Sequence, residues 1–196
     1  MRYKPVLIGL LFLLLPCAAY AGLPMETVEK GVNQVLAVAS DPNLKGEDGK
    51  SVKIEKIKAI TNEFFDYKIL SRLTLGRNWD KFSAAQQNEF ISLYRKLLEK
   101  VYMDRILSYS EEKVKYVKEI SLSDTKSEVQ TLIVTATNEI PIDYRLYNRN
   151  GAWRVYDVII EGVSMVKNYR GQFESILTKQ SPQGLIEVMR EKVKES

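Results

Sequence analysis

The hydrophobic period of this chain changes twice, and those two changes constrain its fold class more than any other feature. From Ser83 to about Leu107 the apolar residues Phe90, Leu93, Tyr94, Leu97, Leu98, Val101, Tyr102 and Ile106 recur at helical spacing. From Val114 the period drops to two. Val129, Thr131, Ile133 and Thr135 share one side of a strand, and Ile140, Ile142, Tyr144 and Leu146 alternate with Asp143 and Arg145. After Gly162 the helical period returns. One helix carries Met165, Val166, Tyr169, Phe173, Ile176 and Leu177 inward, and a last one carries Leu185, Ile186, Met189 and Val193. Helices, then strands, then two helices predict an α+β fold. Its centre is a curved antiparallel sheet of about four strands covered by helices on one face, with two C-terminal helices outside the meander.

Local signals place the boundaries. Asn150-Gly151 is a two-residue hairpin signal, because a type I′ turn needs positive φ at both central positions. It joins two halves of a hairpin over Ile140–Glu161, after strands over Val114–Leu122 and Glu128–Asn138. Trp153, Val155, Asp157 and Ile159 alternate along its second arm. Ser83 and Gln86 are spaced as a capping box, Gly76 closes the apolar run Tyr67–Leu75, and Ser181-Pro182 opens the last helix. Earlier helices are predicted over Met25–Ala39 and Val52–Phe65. The loop Ser40–Ser51 between them begins like a calcium loop at Asp41, Asn43 and Gly46. Lys45 at the fifth place and Val52 at the twelfth rule that reading out.

The N-terminus reads as an export signal. Arg2 and Lys4 precede an apolar run of about a dozen residues, shorter than the ~20 a bilayer span needs, and Ala19-Tyr20-Ala21 suits a signal peptidase. Residues 1–21 are expected to be a signal peptide cleaved after Ala21, with residues 22–196 as one domain. With Arg2 and Lys4 gone, 27 basic residues face 25 acidic ones, a net charge of +2. The charges are interspersed, which gives nucleic-acid binding no basic stripe to rest on. The single cysteine, Cys17, leaves with the leader, so packing alone must hold the fold.

The chain has no histidine. A Ser-His-Asp or Cys-His arrangement is therefore impossible, as is a His-based zinc site. Asp157 and Glu161, four apart along a strand, are the one carboxylate pair placed on a shared face as hydrolysis requires. The competing reading is ion pairing with Arg154, Arg145 or Lys167. No catalytic residue, metal ligand or cofactor is assigned. The eleven tyrosines suit core-edge packing, and equally the mouth of an apolar cavity that holds an amphiphile.

The run Gly151-Ala152-Trp153-Arg154-Val155-Tyr156-Asp157-Val158-Ile159-Ile160-Glu161-Gly162-Val163-Ser164-Met165-Val166-Lys167-Asn168-Tyr169-Arg170-Gly171-Gln172-Phe173 resembles the hallmark of the MlaC family, also called toluene-tolerance auxiliary proteins. Trp79, Phe90, Leu97-Leu98, Tyr102, Ile176-Leu177 and Gly184-Leu185-Ile186 agree with it, so the likeness covers nearly the whole mature chain.

The resemblance implies an NTF2-like shape and a periplasmic phospholipid carrier, not an enzyme, serving outer-membrane lipid asymmetry. Phospholipid would be its cargo. Its partners would be an inner-membrane ABC transporter with an MCE-type lipid-binding subunit and an outer-membrane lipoprotein–porin complex. Expected lipid-binding pocket walls are Leu70, Leu73, Leu93, Leu97, Val101, Ile133, Ile142, Tyr144, Leu146, Val155, Ile160, Val163, Val166 and Tyr169, each of which could instead be ordinary core. Trp153, Asp157, Gly162 and Arg170 read as structural, with Arg170 placed to pair with Asp157 or Glu161.

Overall fold

Three helices precede the long one, and each starts where its sequence supplies a terminus. The computed structural model describes residues 23–109 and 112–194. The expected signal peptide lies outside them. Helix α1 spans Pro24–Ala39, with proline in its first turn. Helix α2 spans Gly46–Phe64 and so takes in half of the predicted loop. The reason is local packing. A Cβ on Gly49 would lie 2.4 Å from the Leu44 carbonyl carbon, so glycine lets this first turn fold back on the preceding chain. Glu47 and Asp48 then favour the helix N-terminus electrostatically. Helix α3, Tyr67–Leu75, is capped by Asp66, whose carboxylate accepts from the Ile69 N–H at 2.9 Å.

Gly76 ends α3 at φ +53°, and a 3-10 turn over Gly76–Lys81 leads to α4, Ala84–Ser108. The Ser83–Gln86 capping box forms as predicted. The Gln86 side chain accepts from the Ser83 N–H at 3.0 Å, and Ser83 Oγ accepts from the Gln86 N–H at 3.3 Å.

Five strands follow in sequence order: β1 Lys113–Ser123, β2 Lys126–Val134, β3 Glu139–Arg149, β4 Ala152–Ile160 and β5 Val163–Ser164. They form one antiparallel sheet in the order β1-β2-β3-β4-β5. The fifth strand, beyond the four predicted, is a two-residue edge that pairs Ile159 with Ser164 and Ile160 with Val163. Asn150 and Gly151 both take positive φ, +51° and +85°, which is the I′ turn expected between β3 and β4. Glu161 and Gly162 repeat that conformation before β5, at +49° and +82°.

One irregularity in the sheet decides which side chains face the helices. Tyr144 pairs with Val158 and Arg145 with Asp157, but Leu146 pairs with Val155, so Tyr156 is an extra residue in β4. Such a bulge reverses the side assigned to every later residue of the strand. Val155 and Val158 consequently both face inward, although an unbroken alternation would separate them. The predicted alternation of Trp153, Val155, Asp157 and Ile159 on one side is corrected on this point.

Helices cover the inner face. Helix α1 packs on β1, β2 and β4, and α2, α3 and α5 pack on β4. On β2 the inward residues Ser127, Val129, Thr131 and Ile133 are buried. The opposite face carries polar pairs, including Glu128 with Arg145 at 2.8 Å. Helices α5, Met165–Leu177, and α6, Pro182–Lys194, close against α3 and α4.

Candidate functional site: an apolar cavity between sheet and helices

The interior has two unlike halves. Toward α5 and α6 it is solid. Phe90, Tyr94, Tyr169 and Phe173 stack on one another with ring centroids 5.2 to 5.7 Å apart, and Leu185, Ile186 and Met189 are fully buried beside them. Toward α1 and α2 it is hollow. A cavity of about 210 Å³ lies there, within a void of about 1250 Å³ once the part open to solvent is counted. The sheet side of its wall is Val114, Ile133, Ile142, Tyr144, Val158 and Ile160. The helix side comes from Val32 and Leu36 of α1, Ile57 and Phe64 of α2, and Leu98, Tyr102, Met103 and Ile106 of α4.

Helix α4 serves both halves because it is apolar over more than one stripe. Phe90, Tyr94 and Leu97 face the aromatic core, whereas Leu98, Tyr102 and Ile106, four residues apart, face the cavity. Gly31 makes room for the Phe64 ring, since a Cβ there would sit 2.6 Å from Phe64 Cδ2. That ring packs edge-on to Phe65 and Tyr144, with centroids 5.2 and 5.8 Å away.

The cavity wall has little charge. Glu99 and Arg105 are its only charged members among the described residues, and Glu99 already faces Arg95 at 3.5 Å. Burial pushes the phenols of Tyr144, Tyr67 and Tyr102 above the ordinary tyrosine value, because a phenolate there would lose its hydration. No group of three or more His, Cys, Asp or Glu that could hold a metal occurs among the described residues. The wall therefore offers apolar contact and few directed hydrogen bonds, which suits a hydrocarbon.

Of the residues singled out from sequence, Ile133, Ile142, Tyr144 and Ile160 line this cavity. Leu70, Leu97, Leu146, Val155, Val166 and Tyr169 lie in the buried core instead, with Leu73 and Leu93 packed against it. Val101 and Val163 are exposed. Val101 precedes the cavity-facing Tyr102 by one residue and so turns away from the cavity, and Val163 sits on the terminal edge strand. The residues that sequence reasoning passed over come mainly from α1, α2 and α4. The signals that pointed to α1 and α2 were the helical spacing of Val28, Val32, Val35 and Leu36 over Met25–Ala39 and of Ile54, Ile57, Ile60 and Phe64 over Val52–Phe65; Val32, Val35, Leu36, Ile57 and Phe64 line the cavity.

The carboxylate pair does not form. Asp157 is buried and accepts from the Ser164 hydroxyl at 2.6 Å and the Val166 N–H at 3.0 Å, with Arg145 at 3.8 Å. Glu161 stands exposed in the turn beyond β4. Arg170 pairs with neither. Its guanidinium donates to the Leu73 carbonyl, with Nε at 3.0 Å, and so ties α5 to α3.

An α+β domain with a hollow, apolar space between an antiparallel sheet and its helices has the build of a protein that encloses a greasy ligand. The chain belongs to the MlaC family, whose model matches residues 29–191. It is 30% identical over 122 residues to the intermembrane phospholipid transport system binding protein MlaC of Haemophilus influenzae, a match spanning 60% of this chain and 57% of that relative. Its fold is similar to that of a phospholipid-binding protein from Ralstonia solanacearum solved in complex with a phospholipid. The TM-score is 0.78 at 23% identity, over 87% of this chain and 97% of that one.

Proposed function

We propose that this chain is a periplasmic phospholipid carrier. In this reading the leader is cleaved after Ala21, and residues 22–196 take up a lipid by its acyl chains and pass it between two membranes. The observation that carries the reading is the cavity, hollow and apolar where the neighbouring half of the same interior is filled side chain to side chain. The exchange partners would be an inner-membrane ABC transporter with an MCE-type subunit and an outer-membrane lipoprotein–porin complex.

A carrier is needed because of the cost of exposed hydrocarbon. Two acyl chains hold on the order of 30 methylenes, and at ~0.8 kcal/mol for each, exposing them to water costs ~24 kcal/mol. The cavity has to offset most of that without exceeding it, or release would stall. No bond is made or broken. The wall reads tails by shape and polarity, so another hydrophobic cargo such as a hopanoid-type lipid would satisfy much of the same surface.

The test is direct. The protein is purified from periplasm, extracted with organic solvent and analysed by mass spectrometry. Diacyl phospholipid in near-equimolar amount is expected. A hopanoid-type mass in its place would change the cargo. An empty extract together with no uptake from phospholipid vesicles would overturn the reading.

A further inference from the structure

A second recess, open to solvent, lies at the hairpin end of the sheet, and its chemistry is the opposite of the cavity's. Its wall includes Arg149, Asn150 and Arg154 from the β3–β4 hairpin, Asn62 from the last turns of α2 and Asp66 at the cap of α3. Phe65 and Tyr67 line this cleft and the apolar cavity alike. A polar site and a greasy one therefore meet across two aromatic residues.

The charge in the cleft is positive and only partly neutralised. The Arg154 side chain makes no ion pair or hydrogen bond among the described residues. Arg149 is well exposed and reaches the largely buried Asp66 only at 3.6 Å, with no hydrogen bond between the two among the described residues. Asp66 is committed elsewhere, accepting from the Tyr147 hydroxyl and the Ile69 N–H. Asn62 accepts from Arg95 through Oδ1 at 3.2 Å, which leaves its amide nitrogen as a donor. Two guanidinium groups and an amide donor around one acid leave the cleft a net positive charge and unspent donors.

We propose that this cleft is a binding site for a phosphate ester, with Arg154 as its principal ligand and Arg149 as the second. Guanidinium forks match phosphate oxygens in pairs. The adjoining apolar cavity points to an amphiphile whose phosphate occupies the cleft while its tails fill the cavity. That last step rests on the carrier reading. The site itself does not, because a free phosphate ester would satisfy the same donors.

The test separates the two sources. Delipidated mature protein is titrated with sn-glycerol 3-phosphate at fixed ionic strength, with backbone and arginine Nε resonances followed by NMR. Saturable shifts at Arg154, Arg149 and Gly151 are expected. Arg154→Gln should weaken the titration by about tenfold, and Arg154→Lys should recover part of it. In parallel, wild type and Arg154→Gln are loaded from vesicles of phosphatidylglycerol and the retained lipid is measured. Lower retention by Arg154→Gln assigns the site to the lipid's own phosphate. Equal retention with an intact wild-type titration assigns it to a free phosphate ester. Absence of saturable shifts in delipidated wild type that reloads lipid from the vesicles overturns the site and leaves the carrier standing. A wild type that binds glycerol phosphate but never carries lipid does the reverse.

Discussion

The Ser164 hydroxyl donates to the buried Asp157 carboxylate at 2.6 Å while its oxygen accepts from the Lys167 N–H at 3.1 Å. Two residues of the family hallmark thus weld the end of the sheet to the first turn of α5. The same carboxylate takes the Val166 N–H at 3.0 Å, so one acid satisfies both a cap residue and an otherwise orphaned helix donor. The pair is structural, and its removal should be felt as lost stability.

Asp157→Ala leaves the Ser164 hydroxyl and the Val166 N–H short of a partner in a buried place. A loss of about 3 kcal/mol is expected, which for a domain of this size lowers Tm by roughly 6–12 °C. Differential scanning calorimetry checks it. An unchanged Tm would refute the structural role of the pair.

Ile142→Asp places a carboxylate in the cavity wall. An unpaired charge in apolar surroundings is costly, so lipid retained after purification should fall by about tenfold or more. Leu132→Asp is the control. It lies on the neighbouring strand, paired with Pro141 and next to the inward Ile133, and so on the opposite face. It should leave retention near that of the wild type. Quantitative mass spectrometry of the extracts reads both.

Gly31→Ala pushes a methyl group against the Phe64 ring, 2.6 Å away. Because that ring is already held against Phe65 and Tyr144, it can move only by disturbing the cavity wall. A destabilisation of about 1–3 kcal/mol is expected, with a lower lipid content. Gly31→Ala combined with Phe64→Leu should relieve the clash, and urea melts of the two variants check that recovery.

Alkaline pH should unfold the protein in a defined window. Burial holds the phenols of Tyr116 and Tyr169 up at about 12 and raises those of Tyr94 and Tyr144 as well, against an unfolded value of 10.0. Between those limits the folded state binds more protons than the unfolded one, so stability falls as pH rises. It should be fully present below pH 10 and decline steeply from 10 toward 12. Circular dichroism melts across that range, alongside absorbance near 295 nm for phenolate, test it. Phenolate appearing well before the protein loosens would count against buried tyrosines as the cause.

Much of the fold was legible because it is written in short-range chemistry. The period change near Val114, the Asn150-Gly151 turn and the Ser83–Gln86 box each depend on neighbours a few residues apart, and each forms where expected. Ser40–Ser51 read wrongly in part, because Gly46 and Gly49 look like breakers and instead admit a tight first turn of α2.

The site was less legible. Periodicity assigned Leu97, Tyr169 and Val166 to inward faces, and all three are buried, but facing inward does not say whether a partner fills the space opposite. Tyr169 meets Tyr94 and Phe173, while Tyr144 meets Phe64 and then open space. The bulge at Tyr156 turned Val158 toward the cavity, and nothing in the alternation of β4 announces it. The chain alone determined the elements, their order and the family, since these follow from spacing along the backbone. Only the tertiary structure decided that one half of the interior is packed and the other hollow, because a void depends on how far apart two faces are held.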